Sequence, residues 1–204
     1  MPGAKCLSEN SVLIDIRQRI FKYRSFMPVP FLVIMIIFAH PSPLSLLTGL
    51  IIVFIGEFLR LWGVAIAGSE TRTTGPVGGT FLITKGPFAF VRNPLYVGNI
   101  LIYCGVGLMA NLIWLVAFGL IFFTVQYSLI VSLEEEYLIR TFGDQYLRYT
   151  KAVPRFIPTI KKFTSGTNVQ PDLDWVRGVI SEKSTLLAIT SVTIILIAFL
   201  LFRR

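Results

Sequence analysis

Cysteine and histidine are almost missing from this sequence. Its 204 residues include two cysteines, Cys6 and Cys104, and one histidine, His40. Cys104 lies inside an apolar run and Cys6 in the N-terminal tail, so neither a disulfide framework nor a thiolate metal site is supported. A single histidine also excludes a metal site built from several histidines. The chemistry of this chain must therefore come from other side chains.

Charged residues are also scarce. They make up 15% of the chain, against about 25% in an average soluble domain. Hydrophobic residues make up 54%, the mean hydropathy is +0.72, and the apolar residues are collected in long runs. This composition predicts an integral membrane protein. The net charge of +8 does not indicate a nucleic-acid partner, because the lysines and arginines flank apolar runs, where they anchor a chain to membrane lipids.

The apolar runs predict about five transmembrane helices. They cover approximately residues 26–39, 44–67, 96–110, 112–133 and 186–202. Short turns separate the first run from the second and the third from the fourth, so each pair is predicted to form an antiparallel hairpin. The predicted fold is all-α: a polytopic membrane helical bundle of two hairpins and a C-terminal span, with a cytoplasmic helix-loop cap.

The polar segments divide the chain further. Residues 10–24 have apolar positions near helical spacing and predict a short amphipathic helix on the membrane surface. The resulting segments are an N-terminal surface segment (1–25), a membrane core (26–163) with a candidate site at 84–98 and 134–158, a polar linker (164–184) and a C-terminal transmembrane helix (185–204).

Lysine and arginine predict the orientation. They collect in the N-terminal tail and in residues 68–95 and 134–184, whereas the two turns on the other side contain none. Cytoplasmic loops carry such an excess, so the N-terminus and the candidate site are predicted to be cytoplasmic. Arg203 and Arg204 depart from this rule if the last run spans the membrane.

Two charges lie inside the second predicted span. Glu57 and Arg60 are three residues apart, which places them on one helical face. Charges in a membrane span are paired or functional. The sequence leaves both readings open.

Residues 84–98, TKGPFAFVRNPLYVG, form a basic connection rich in turn dipeptides. Gly86–Pro87 and Asn93–Pro94 interrupt regular structure, and Pro94 favours the first turn of a helix. A helix start offers free N–H groups and a partial positive charge. With Arg92, it can bind a carboxylate.

The second conspicuous segment, EEEYLIRTFGDQYLRYTKAVPRFIP, begins at Glu134. It predicts an amphipathic helix that continues the fourth span and ends before Pro154. One face of this helix carries Leu138, Phe142, Tyr146 and Tyr149.

The predicted hairpin brings Tyr96 and Glu134 together at its cytoplasmic end. Glu134 or Glu135 can bind an ammonium group or ribose hydroxyls, and the tyrosines can flank an aromatic base. The site would suit a small zwitterion with an aromatic moiety. Equally, these charges can be membrane anchors and helix caps.

Together these segments resemble the isoprenylcysteine carboxyl methyltransferase and phospholipid methyltransferase superfamily. The shared pattern is G-P-[FY]-x3-R-[HN]-P-x-Y-x-G followed by E-E-x2-L-x3-F-G-x2-Y-x2-Y-x3-V-P-R. GEFLRLWG upstream is also similar to a core helix of the family, so the resemblance covers residues 56–158. One departure is Asn93, where the family more often has His; Asn cannot act as a titrating base.

The resemblance implies an integral-membrane methyltransferase that uses S-adenosylmethionine, releases S-adenosylhomocysteine and lacks a Rossmann fold. By position, the implied catalytic residues are Arg92, Glu134, Glu135 and Arg155. The implied cofactor-binding residues are Lys85, Gly86, Pro87, Arg92, Asn93, Pro94, Tyr96, Gly98, Glu134, Glu135, Tyr146 and Tyr149.

The methyl acceptor stays open at this point. A lipophilic partner would enter from the bilayer, either a prenylcysteine-type carboxylate or the amine of a phospholipid or another lipid. A carboxylate needs no base, whereas an amine must lose a proton, for which Glu134 and Glu135 are the nearby candidates. The non-enzymatic alternative is a small transporter or assembly factor with a degenerate cofactor site. Oligomerisation is also left open.

Overall fold

The computed structural model describes residues 16–68, 81–164 and 170–202. Its α-helices are α1 (Ile16–Tyr23), α2 (Pro28–Phe38), α3 (Pro43–Ala67), α4 (Pro94–Met109), α5 (Ile113–Phe142), α6 (Asp144–Ala152) and α7 (Trp175–Phe202). A short 3₁₀ helix, Gly86–Ala89, precedes α4. The predicted all-α fold is confirmed: the described ranges contain no strand.

Three helices are long and apolar enough to cross a membrane. These are α3, α5 and α7, which match the second, fourth and fifth predicted spans. The first predicted span, residues 26–39, corresponds to α2, which together with α1 would make one broken span bent by 59°. The third corresponds to α4, whose 16 residues are fewer than the roughly 20 that a straight span needs. The chain is an integral membrane protein with three to four such spans among the described residues.

Local sequence signals explain where these helices begin and end. Ser42 accepts a hydrogen bond from the Ser45 N–H and its own N–H donates to the Ser45 hydroxyl, a capping box that starts α3. The turn from α4 to α5 uses Asn111 at φ 61°. Gly143, at φ 49°, ends α5 and starts α6. The polar helix predicted to continue the fourth span is therefore continuous only as far as Phe142.

The closest helix contact is between α3 and α4. A Cβ added at Gly49 would lie 2.4 Å from the carbonyl oxygen of Gly105, and one added at Gly56 would lie 2.7 Å from that of Gly98. These glycines recur every seven residues, which keeps them on one face of each helix. Small residues let helix backbones approach closely in a membrane, where apolar burial gives little driving force.

The two predicted hairpins differ in how closely their helices pack. A short turn joins α2 to α3, both fully described, but their backbones do not pack closely against each other. Phe31 of α2 instead contacts Tyr103 of α4 and Phe123 of α5, with ring centroids 6.0 and 5.5 Å apart. The glycine face of α3 packs against α4. The predicted pairing of α4 with α5 is confirmed.

The end of the chain also differs from its prediction. Residues 164–184 are predicted to be a linker, but α7 begins at Trp175. Asp174 caps this helix by accepting a hydrogen bond from the Arg177 N–H at 2.9 Å, and its own N–H donates to Ala65 of α3. α7 therefore packs along α3, although most of its apolar side chains remain exposed.

At the other end, α1 confirms a helix within predicted residues 10–24, of which residues 10–15 lie outside the described ranges. Arg17 of α1 contacts Glu136 of α5 at 2.6 Å and donates to the Ser132 hydroxyl at 3.1 Å. The ion pair holds α1 against the polar end of α5. Cys6, Arg72, Arg203 and Arg204 also lie outside the described ranges.

The contact between α3 and α4 predicts that even one methyl group is too large there. Gly56→Ala and Gly105→Ala should each lower the free energy of unfolding by about 1–3 kcal/mol, because the added carbon meets backbone that cannot move aside. Thr48→Leu, on the exposed face of α3, is the control and should have little effect. Thermal unfolding in detergent measures both. Equal stability of all three variants would contradict the close contact.

Candidate active site

The connection from α3 to α4 is shaped by Gly86. This residue has φ 58°, and a Cβ there would lie 2.1 Å from the side chain of Ile66. The 3₁₀ turn that follows closes with the Val91 N–H donating to the Pro87 carbonyl at 3.1 Å. The chain then enters α4 at Pro94, as predicted.

A strap formed by residues 153–163 lies against this connection through backbone hydrogen bonds. The Arg92 N–H donates to the Pro154 carbonyl at 2.9 Å, and the Thr159 N–H donates to the Phe90 carbonyl at 2.8 Å. The Asn93 side chain donates to the Arg155 carbonyl at 3.0 Å. The two motif segments, far apart in sequence, therefore meet at backbone level.

Glu135 of α5 binds arginines from both segments. Its carboxylate contacts Arg92 Nη1 at 3.0 Å, and Arg155 donates to it through Nε at 3.1 Å and through Nη2. Glu135 and Arg92 are largely buried, whereas Arg155 is more exposed. A fixed carboxylate between two guanidinium groups leaves a net positive charge on this side of the site.

Glu134, one residue earlier, has a different kind of partner. The Tyr96 hydroxyl donates to its carboxylate at 2.6 Å. The Tyr96 ring in turn packs on Tyr127, with centroids 4.8 Å apart. The predicted meeting of Tyr96 and Glu134 at one end of the α4–α5 pair is thus observed.

Tyr146 and Tyr149 of α6 are buried, at 2% and 3% exposure. Burial, with the nearby Glu135 charge adding to it, raises the pKa of Tyr146 to about 12, although Arg92 and Arg155 lower it. Burial also raises the pKa of Tyr149 well above its usual range. Both phenols stay protonated as donors at neutral pH, and Tyr149 donates to the Phe88 carbonyl at 2.7 Å. Tyr149 therefore fastens α6 to the connection.

These groups surround a cavity of about 700 Å³ between the cap and the membrane helices. Of the predicted site residues, those lining it are Arg92, Asn93, Pro94, Tyr96, Glu134, Glu135, Tyr146 and Tyr149. Those that do not line it are Lys85, Gly86, Pro87, Gly98 and Arg155. Gly98 is absent from the cavity lining because it lies in the contact between α4 and α3. A Cβ at this position would lie 2.7 Å from the Gly56 carbonyl oxygen.

Several cavity residues were not predicted from the sequence. They are Arg24, Asn99, Glu182 and Thr185. Arg60, one of the two charges that the sequence places inside the second span, also lines the cavity. Arg60 contacts Glu57 at 3.6 Å, so the two are paired, but its Nη2 also contacts Glu182 of α7 at 2.5 Å.

The sequence does contain a signal for a longer last helix. Asp174 is a suitable N-cap, and no proline separates it from Glu182 and the apolar run. The apolar run alone predicts a helix from residue 186, whereas α7 begins at Trp175 and so includes Glu182.

Comparisons with known proteins agree with the motif. The family model described as phospholipid methyltransferase matches residues 44–145, which is half of the chain. The protein-S-isoprenylcysteine O-methyltransferase of Schizosaccharomyces pombe is 39% identical over 110 residues, covering 52% of this chain and 46% of the relative. The human enzyme of that name is 35% identical over 130 residues, covering 56% and 41%.

A third relative carries another kind of name. The cobalt-zinc-cadmium resistance protein CzcN of Cupriavidus metallidurans is 28% identical over 143 residues, covering 66% of this chain and 62% of the relative. This chain therefore spans from 41% to 62% of the length of these three relatives. The superfamily resemblance drawn from the two motif segments is confirmed.

The bond from Tyr149 to Phe88 predicts a measurable contribution to the cap. Tyr149→Phe should lower the free energy of unfolding by about 0.5–1.5 kcal/mol, because it removes one hydrogen bond while keeping the ring. Tyr23→Phe, at an exposed ring, is the matched control. Chemical unfolding followed by tryptophan fluorescence measures the difference. A Tyr149→Phe protein as stable as the control would contradict the role of this bond.

Proposed function

The chain belongs to the phospholipid methyltransferase family, and from this we propose that it transfers a methyl group from S-adenosylmethionine to a lipophilic acceptor. The observation that carries the proposal is the position of Glu135. Its carboxylate joins Arg92 and Arg155, one from each motif segment, beside a cavity that continues between apolar helices. A polar, charged end and an apolar extension suit a polar cofactor and a lipid acceptor.

The residues present fit such a cofactor. Arg92 lines the cavity, and its Nε is buried without a hydrogen-bond partner among the described residues, so it has donor capacity to spare. With Arg155, it makes the Glu135 side of the site net positive, which favours the cofactor carboxylate. Tyr146 and Asn93 add neutral polar groups to the same wall.

S-adenosylmethionine, when bound, supplies an electrophilic methyl group: the acceptor's lone pair forms the new bond, the carbon–sulfur bond breaks, and sulfur keeps its electron pair in S-adenosylhomocysteine. The protein's contribution is to align the acceptor and to exclude water. Alignment of the acceptor and exclusion of water both depend on the buried tyrosines, the arginine-bound carboxylate and the apolar helices.

Glu134 is the better base for an amine acceptor. Glu135 is held by the guanidinium groups of Arg92 and Arg155, so its carboxylate oxygens are already engaged. Glu134 has a neutral phenol as its hydrogen-bond partner and lies on the cavity. A prenylcysteine-type carboxylate, by contrast, gives a methyl ester without loss of a proton.

We place the N-terminus and the site on the cytoplasmic side. The polar connection, the strap and α6 all lie at one end of the α4–α5 pair and carry Lys85, Arg92, Arg148 and Lys151. The positive-inside rule supports this orientation. The acceptor would enter sideways from the bilayer, since it is lipophilic.

The proposal predicts that Glu135→Gln and Arg92→Ala abolish methyl transfer while the protein stays folded. Removing one partner of a partly buried charge pair leaves the other uncompensated, and we expect activity to fall at least about 100-fold. The measurement is transfer of radioactive methyl from S-adenosylmethionine to lipid extract, with thermal unfolding as the folding check. Lys151→Ala, at an exposed residue outside the cavity, is the control. Normal methyl transfer by the Glu135→Gln variant would contradict the assignment of Glu135 to the active site.

Glu134→Gln separates the two acceptor classes. If an amine is methylated, loss of this base should lower kcat by about 100-fold, since general-base catalysis contributes roughly that much. If a carboxylate is methylated, kcat should change much less. Measured kcat for a lipid amine and for a farnesylated cysteine analogue in the same variant distinguishes the classes. An equal loss with both acceptors would contradict a role as base.

A further inference from the structure

The outer part of the strap, residues 157–162, combines exposed apolar and basic side chains; we call it the strap loop. Ile160 is completely exposed, and Ile157 is 78% exposed. Lys161 and Lys162 follow directly, and both are exposed. Among the residues that the structure describes, no carboxylate pairs with either ammonium group. The strap loop therefore presents a small surface that is both apolar and positively charged.

Backbone hydrogen bonds fix the strap loop to the connection before α4. The Thr159 N–H donates to the Phe90 carbonyl at 2.8 Å, and the Phe163 N–H donates to the Ala89 carbonyl at 3.0 Å. The three residues between these two bonds form the outer part of a fixed turn. The exposure of its isoleucine and lysines is thus a property of a well-held backbone.

The strap loop lies close to the depth of the membrane surface. Arg155, just before it, binds Glu135, which is about 22 residues beyond the start of α5 at Ile113, or about 33 Å along the helix axis. The hydrocarbon core is about 30 Å thick, so Glu135 lies at the level of the lipid head groups. Trp62, beside Gly86, marks the same level, because tryptophan is enriched at membrane interfaces.

The chemistry of the strap loop matches an anionic lipid surface. At this depth, isoleucine side chains are stabilised when they leave water for the acyl chains. Lysine stems can lie along apolar groups while their ammonium groups reach lipid phosphates, and anionic lipids attract them. The leaflet is already present at this depth, whereas a protein partner would have to displace lipid from it. Lipid is therefore the partner that this surface fits best.

We propose that the strap loop inserts Ile157 and Ile160 into the leaflet next to the cap and binds anionic phospholipid head groups through Lys161 and Lys162. None of these four residues lines the cavity, so the inference goes beyond the proposed methyl transfer. Lipid bound here holds the strap from its exposed side, while the hydrogen bonds to the connection hold it within the protein.

The position of the strap loop is tested in the full chain, with Cys6→Ser and Cys104→Ala so that one new cysteine can be labelled. The fluorophore NBD is attached at Ile160→Cys, or at Thr141→Cys as a control that lies about 9 Å further along α5 than Glu135. In nanodiscs that contain phosphatidylglycerol, the Ile160→Cys label should emit at a shorter wavelength than the control. It should be quenched by lipid that is spin-labelled near the head group, and the control label by iodide in solution.

The charge of the partner is tested by native mass spectrometry in detergent, with short-chain phosphatidylglycerol as probe and short-chain phosphatidylcholine as the neutral comparison. Lys161→Gln/Lys162→Gln should weaken phosphatidylglycerol binding about 10-fold or more, since each lysine at an anionic surface adds roughly fivefold. Phosphatidylcholine binding should not change. Arg140→Gln/Arg148→Gln removes the same charge from exposed positions elsewhere on the cap, and this matched control should have a smaller effect.

Two results would overturn the proposal: a label at Ile160→Cys that iodide quenches as strongly as the control label, or a loss of phosphatidylglycerol affinity no larger in the lysine variant than in the arginine control. A label shielded from both quenchers would indicate a protein partner, such as a second copy, and would also overturn it. If one variant does not fold, the other still decides. No readout needs cofactor or acceptor, so failure of the proposed function would leave these results unaffected.

Discussion

The bonds of Glu135 to Arg92 and Arg155 are the interaction on which the site depends. They join three parts of the chain: α5, the connection before α4, and the strap after α6. A carboxylate with this little exposure is costly unless it is paired with a cation. The pairing therefore holds both arginines in place as well as Glu135. The strap hydrogen bonds, such as that from Arg92 N–H to Pro154, add to this closure. The charged wall of the cavity follows from these contacts.

Close packing of α3 on α4 sets the other boundary of the cavity. Because the glycines let the two backbones touch, Arg60 of α3 reaches across to Asn99 of α4. The same contact explains why Gly98, a motif residue, turns away from the cavity. α7 then closes the gap along α3 and brings Glu182 to Arg60. The cavity is thus lined by charged side chains at the cap and by both charged and apolar side chains within the bundle.

Much of this could be predicted from local signals. Apolar runs gave most of the helices, Pro94 marked the start of α4, and the two motif segments were expected to meet because a short turn joins α4 to α5. These predictions depend on spacing and on neighbours in sequence. The packing of α2 could not be predicted in this way, since apolar runs of similar composition do not specify partners. Nor could the site of Glu182, whose partner Arg60 lies far away in the chain.

Hydrogen exchange tests the central claim most directly, because it reports on both motif segments at once. Exchange would be followed by mass spectrometry in nanodiscs, with and without S-adenosylmethionine. The account predicts that residues 84–98 and 153–163 are protected together when the cofactor is added, since the strap is hydrogen-bonded to the connection that lines the site. No protection in either segment, or protection confined to one of them, would contradict a shared cofactor site.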